Sequence, residues 1–227
     1  MSDGIAWIHE ALHGWGFNLV ALKDAEVEDL AMMLGAVPGT VMDPPAFNAV
    51  VAAAGSTVRL PDLARLGTCG GWAFAFETGG GIFRHGRDHL RHLWEGRTYL
   101  RITDTTVDPA TLFAVVDGGW DWQYSEGVVH EQVGADHPLT ARMTAEIALG
   151  SAVPDPDFPD DPDECGLYIP AIADVYRLFG EHYGLTLPRR VIGEPYDKNT
   201  ELQGAFTAPR TLPDGQPNPK YDNVRLP

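Results

Sequence analysis

A chain of 227 residues with 44% hydrophobic and 21% charged side chains holds enough apolar material for one large domain. It has no run of about 18 apolar residues that would cross a membrane as a helix. Its 32 acidic residues against 16 basic give a formal net charge of −16, which repels phosphate backbones and anionic lipid surfaces and argues against nucleic-acid and membrane partners.

The segment Ile5 to His13 has the spacing of a helix, with Ile5, Ile8 and Leu12 on one side and Gly14 and Gly16 as stops. Phe17 to Leu22 reads as a strand. Asp24 is placed to cap the next helix, whose buried stripe is Val27, Leu30, Ala31 and Leu34 and whose stop is Gly35. A short helix is expected over Ala46–Ala54 after Asp43-Pro44. Part of Val58–Thr68 should pair through a Cys69-Gly70-Gly71 turn with the strand that follows. That strand, Gly71 to Glu77, alternates large rings (Trp72, Phe74, Phe76) with small methyls (Ala73, Ala75), so both of its faces are apolar and a layer is expected on each side. Gly79, Gly80 and Gly81 make a connection, and Arg87–Glu95 reads as a helix ended by Gly96. Thr98–Thr103 and Leu112–Val116 read as strands. Asp117-Gly118-Gly119 is a turn leading into Trp120-Asp121-Trp122-Gln123-Tyr124, with the rings expected on one face. Val128–Val133 is a candidate for a further strand. Asp136-His137-Pro138 opens a helix through Leu149, and Ile169–Tyr183 has the stripe of a last amphipathic helix. No internal repeat is present.

The order is helix, strand, helices, a run of antiparallel strands, then helices. It predicts an α+β fold with one mainly antiparallel sheet, helices packed on it, and a central strand at about 71–77. The expected organisation is a core over residues 1–150, an acidic proline-rich loop over 151–166, a helix packing back over 167–186, and a proline-rich tail over 187–227. From Leu187 on there are seven prolines and few aliphatics, so the tail is expected to wrap the domain or stay loose. The two cysteines, Cys69 and Cys165, and an opening Met1-Ser2-Asp3-Gly4 without a secretory pattern lead to an expectation of reduced thiols in a cytoplasmic protein.

Several of these stretches occur as a set. They are the Trp-bearing first helix, the Gly-Phe-x-Leu-Val strand, the Leu34-Gly35-Ala36 helix end and the Gly-Gly-Trp-Ala-Phe-Ala-Phe-Glu strand. The Trp/Tyr hairpin, the Ala-Asp-Val-Tyr-Arg-Leu-Phe-Gly helix and Gly184-Leu185-Thr186-Leu187 complete it. The set resembles a bacterial family known only as a domain of unknown function, over roughly residues 5–190. The resemblance implies a shared scaffold and brings no catalytic residues with it.

Chemistry-bearing patterns are few. His9-Glu10-Ala11-Leu12-His13 fits H-E-x-x-H, in which two histidines four apart on a helix share a zinc and the glutamate is a general base. In the extended form of that pattern the third ligand falls on Leu19, which cannot bind metal, and Glu26 and Glu28 are the nearest later carboxylates. Arg84-His85-Gly86-Arg87-Asp88-His89-Leu90-Arg91-His92, with Arg97 and Arg101 beyond, could hold an anion, or could simply neutralise the protein's own acids. No phosphate loop and no G-x-S-x-G nucleophile elbow occurs. Ser151–Glu164 carries four prolines, six acids (Asp155, Asp157, Asp160, Asp161, Asp163 and Glu164) and no basic residue. With no coherent catalytic set, no metal site and no cofactor assigned, the sequence reads as a non-enzymatic acidic binding protein of the kind that an immunity protein or accessory regulator represents. Those six acids would form its binding site for a basic partner protein. The alternative is a zinc-dependent hydrolase using His9, Glu10 and His13.

Overall fold

The computed structural model describes residues 4–12, 16–37, 41, 63–78, 95–104, 109–126, 136–149, 152–154, 165–167, 171–187, 204–207 and 214–217. The helix expected over 46–54, the 79–81 connection, residues 87–94 of the expected 87–95 helix, the 128–133 strand, His13 and the six loop acids lie outside those residues.

The described elements are α1 (Trp7–Leu12), β1 (Phe17–Lys23), α2 (Val27–Met33), β2 (Leu63–Cys69), β3 (Trp72–Thr78), β4 (Tyr99–Asp104), β5 (Thr111–Val116), β6 (Gly119–Ser125), α3 (Pro138–Ile147), β7 (Ala152–Pro154), β8 (Cys165–Leu167), α4 (Ile172–Tyr183) and β9 (Gly204–Thr207). Seven strands form one sheet in the order β6-β5-β4-β1-β3-β2-β9, every neighbouring pair antiparallel. The fold is α+β, as the order of elements predicts. The ring-and-alanine strand β3 is interior, although the middle place among the seven belongs to β1. No described helix is long and apolar enough to cross a membrane.

Both faces of the sheet are covered, and β3 shows why. Its rings Trp72, Phe74 and Phe76 enter a large core with Phe17 and Leu19 of β1, Leu100 and Ile102 of β4, Trp122 and Tyr124 of β6, and residues of α1, α3 and α4. Its alanines Ala73 and Ala75 face the other way, where Val27, Leu30 and Ala31 of α2 pack against them. A methyl-sized side chain lets a helix approach closely, and that is the approach α2 makes.

The turns follow from their residues. Gly70 and Gly71 both have positive φ (59° and 84°), the backbone that a two-residue hairpin needs, and they join β2 to β3. Asp117 (51°) and Gly118 (80°) do the same between β5 and β6.

Three expectations need correction. The N-cap of α2 is Glu26 and not Asp24, and no side chain caps that helix start. Trp120, Trp122 and Tyr124 do not share a face. Trp120 pairs with Val115 and Trp122 with Ala114, which leaves Asp121 as the extra residue of a β-bulge. The bulge turns Trp120 onto the α2 side, where it lies 56% exposed against Phe113, while Trp122 is fully buried against Phe179 on the opposite side. Helix α3, expected to run through Leu149, ends at Ile147, because Ala148 takes the left-handed conformation at φ 54° and caps it. The tail, for its part, supplies Gly204–Thr207 as the edge strand beside β2.

Candidate functional site

Helix α4 carries Tyr176 and Tyr183, seven residues apart and so on one side of the helix. Each donates its hydroxyl to a carboxylate on the sheet. Tyr176 bonds Asp104 Oδ2 at 2.7 Å, at the end of β4, and Tyr183 bonds Asp121 Oδ2 at 2.7 Å, in the β6 bulge. Each carboxylate also faces an imidazole. His9 Nδ1 of α1 lies 3.8 Å from Asp104 Oδ2, and His137 Nε2 lies 3.4 Å from Asp121 Oδ2.

The second of these groups is the larger. His137 is the N-cap of α3. Its backbone is extended (φ −71°, ψ 140°), as a residue preceding proline prefers, and Pro138 sits at the first helical position, where no amide donor is needed. Leu139 N–H donates to His137 Nδ1 at 3.2 Å. An accepting Nδ1 requires the ring proton on Nε2, which points it at Asp121. His182, in the last turn of α4, sets its ring edge-on to His137 with centroids 5.1 Å apart. Ligand atoms of Asp121, His137 and His182 all lie within 4.8 Å of one another. Burial, followed by the nearby His137 and Arg142 and against the pull of Asp121, holds the His182 imidazole below its ordinary range, which favours the neutral ring. Arg142 near it and Arg177 of α4 are tied to Glu146, Glu181 and Asp174 in an exposed network joining α3 to α4.

The tyrosines share one response to burial. Burial pushes the Tyr99 hydroxyl up to about 12 against the opposing charge of Arg101, and burial with the charge of Glu126 pushes Tyr124 up to about 12. Tyr176 and Tyr183 are also raised, first by burial and then by their bonded carboxylates. Each folded value lies above the unfolded value of about 10, so the stabilisation from keeping these hydroxyls neutral is complete below pH ~10 and is lost as the pH rises through ~12. Tyrosinate absorbance is therefore expected to appear together with loss of the near-ultraviolet circular dichroism of the folded core. Ionisation of all seven tyrosines near pH 10 with the fold intact would contradict this.

The residues singled out in the sequence are distributed differently. His9 is on α1 beside Asp104 and edge-on to Tyr176. Leu19 is buried in the core. Glu26 and Glu28 belong to α2, which packs on the opposite face of the sheet from α1, so the sheet separates them from His9. Of the arginine-rich stretch, Arg97 and Arg101 are described, and Arg101 Nε donates to Thr103 Oγ1. The six acids at 155–164 lie between the ends of β7 and β8, whose ladder pairs Pro154 with Cys165 and Ala152 with Leu167.

Sequence reasoning missed the Asp121–His137–His182 group. Its members come from a strand, a helix start and a helix end, and no spacing links them. The available signals were an aspartate between two tryptophans and a histidine preceding a helix-opening proline.

No family model, curated protein or solved structure matches the chain.

Proposed function

We propose that this protein is a non-enzymatic, cytoplasmic binding protein that docks a basic partner through Asp155, Asp157, Asp160, Asp161, Asp163 and Glu164, in the manner of an immunity protein or accessory regulator. The observation that supports this reading is the β7–β8 ladder. It brings together the two ends of the ten-residue stretch 155–164, in which all six acids fall. Closing a loop at its base removes conformations that a free linker would sample, and less ordering entropy then opposes binding. The net charge of −16 adds attraction at long range for a cationic surface.

The test is a titration of the purified full chain with a fluorescent arginine- and lysine-rich peptide at low and high salt. Three proteins are compared: the native chain, a variant with the six loop acids amidated (Asp→Asn, Glu→Gln), and a charge-matched control. The control amidates six exposed acids elsewhere: Glu10, Glu26, Glu28, Asp29, Glu95 and Asp136. Affinity is expected to fall by at least about tenfold between low and high salt, and the loop variant is expected to lose most of the binding while the control keeps it. Equal losses in the two variants, or an affinity insensitive to salt, would reject the reading.

A further inference from the structure

We infer that Asp121, His137 and His182 form a binding site for a divalent transition metal of zinc type, separate from the H-E-x-x-H sequence at His9–His13. Two imidazoles and one carboxylate are a borderline donor set, suited to Zn²⁺, Co²⁺ or Ni²⁺ and poorly suited to Ca²⁺ or Mg²⁺. A tetrahedral zinc with bonds of 2.0–2.2 Å holds its ligand atoms roughly 3.3–3.5 Å apart. His137 Nε2 and Asp121 Oδ2 already stand at 3.4 Å. Only His182 has to move inward, within a group whose ligand atoms span 4.8 Å, and it is exposed on the last turn of α4. Three protein ligands leave a fourth position for water or a second molecule, the pattern of an open site and not of a closed structural one.

The surroundings fit a held ligand set. The Tyr183 hydroxyl donates at 2.7 Å to Asp121 Oδ2, the oxygen that faces His137, and holds the carboxylate in place while a second lone pair stays open to a metal, the part that outer partners play around bound metals. The bulge is what brings Asp121 to the same side as the helices. Among the described residues, Arg142 is the cation whose charge is felt at His182, and it is paired with Glu146 and Glu181.

Metal must displace the Nε2 proton of His137. The balanced route is a tautomer shift in which the proton moves to Nδ1, the Nε2 lone pair goes to the metal, and the Leu139 N–H gives up its bond to Nδ1. Binding and helix capping therefore compete. Asparagine at position 137 separates them, because it caps well and cannot replace the imidazole at that reach.

The experiment uses the full chain, stripped with chelator and free of any histidine tag, titrated with zinc chloride against a chromophoric chelator, with cobalt(II) absorbance as a second readout. One equivalent of zinc is expected, with a cobalt spectrum of tetrahedral type. Affinity is expected to fall by more than about 100-fold in His182→Ala, His137→Asn and Asp121→Asn, since loss of an outer partner alone costs 10–100-fold. It should be unchanged in the His9→Ala/His13→Ala double variant. His182→Ala sits on an exposed turn, so its thermal melt is expected to match the parent and its result stands even if a second variant unfolds. Zinc binding absent from the parent, unaltered in His182→Ala, or abolished by the His9/His13 variant would overturn the assignment.

Discussion

Trp122→Ala is expected to lower stability by about 3–5 kcal/mol, the range for emptying a buried tryptophan site. The indole is fully buried. It stacks parallel to Tyr124 at 6.2 Å and lies against Phe179 of α4 at 5.7 Å. Its Nε1–H donates to Thr140 Oγ1 of α3 at 2.9 Å. One side chain thus ties the edge of the sheet to both helices above it. Truncation opens a cavity and removes the hydrogen bond from the indole to Thr140 Oγ1, and both effects act in the same direction. Against a typical stability of 5–15 kcal/mol this is a large fraction, and for a chain of this size it corresponds to a fall in Tm of roughly 6–20 °C. Trp122→Phe separates the two causes, because most of the packing stays and the hydrogen bond goes, with about 0.5–1.5 kcal/mol expected from the bond itself. Urea melts of the two variants provide the check. A loss below about 1 kcal/mol in Trp122→Ala would show that the helices are held on by other contacts.

Gly180→Val is expected to cost about 3 kcal/mol, and Gly180→Ala is expected to destabilise as well, which is opposite in sign to helix propensity. Gly180 sits inside α4 with an ordinary helical backbone, where alanine would normally gain about 1 kcal/mol. A Cβ there would stand 2.7 Å from Ile5 Cγ1 and 3.0 Å from the Leu185 carbonyl oxygen. Ile5 is fully buried and cannot swing out, and the Leu185 backbone belongs to the turn that ends the helix, where Leu185 N–H bonds the Gly180 carbonyl. The added methyl must push the segment before α1 away from α4. A thermal melt of Gly180→Ala decides the point by its sign, since a raised Tm would mean that the approach of the two segments is loose.

What the sequence makes legible is what neighbouring residues decide among themselves. The alternation from Trp72 to Phe76 assigns two faces to one strand, and both faces are filled as the residues require. Gly70-Gly71 and Asp117-Gly118 announce tight hairpins because few residues accept positive φ. Position in three dimensions is decided by distant partners and is not legible in the same way. The extra residue at Asp121 exists only relative to Ala114 and Val115, so strict alternation put Trp120 on the wrong face. The four residues Gly204–Thr207 have no pattern of their own and become a strand because β2 offers an open edge. The acidic loop is plain in composition, while its stem is two three-residue strands too short to signal themselves. The His/Asp/His group escapes for the same reason as the bulge, its members being brought together by the packing of α3 and α4 on β6, whereas H-E-x-x-H is visible because it is local.

The contact between the two ends of the α-layer bears on how the chain is made. Trp7 Nε1–H donates to the Leu187 carbonyl across a separation of 180 residues, and Leu187 N–H returns a bond to Gly4. At 5–20 residues per second, a ribosome needs roughly 9–36 s to deliver the second partner after the first. Throughout that interval Ile5, Trp7 and Ile8 lack the helix they finally dock on. The nascent chain therefore presents a sticky segment that must be sheltered or tolerated until α4 and Leu187 have been synthesised.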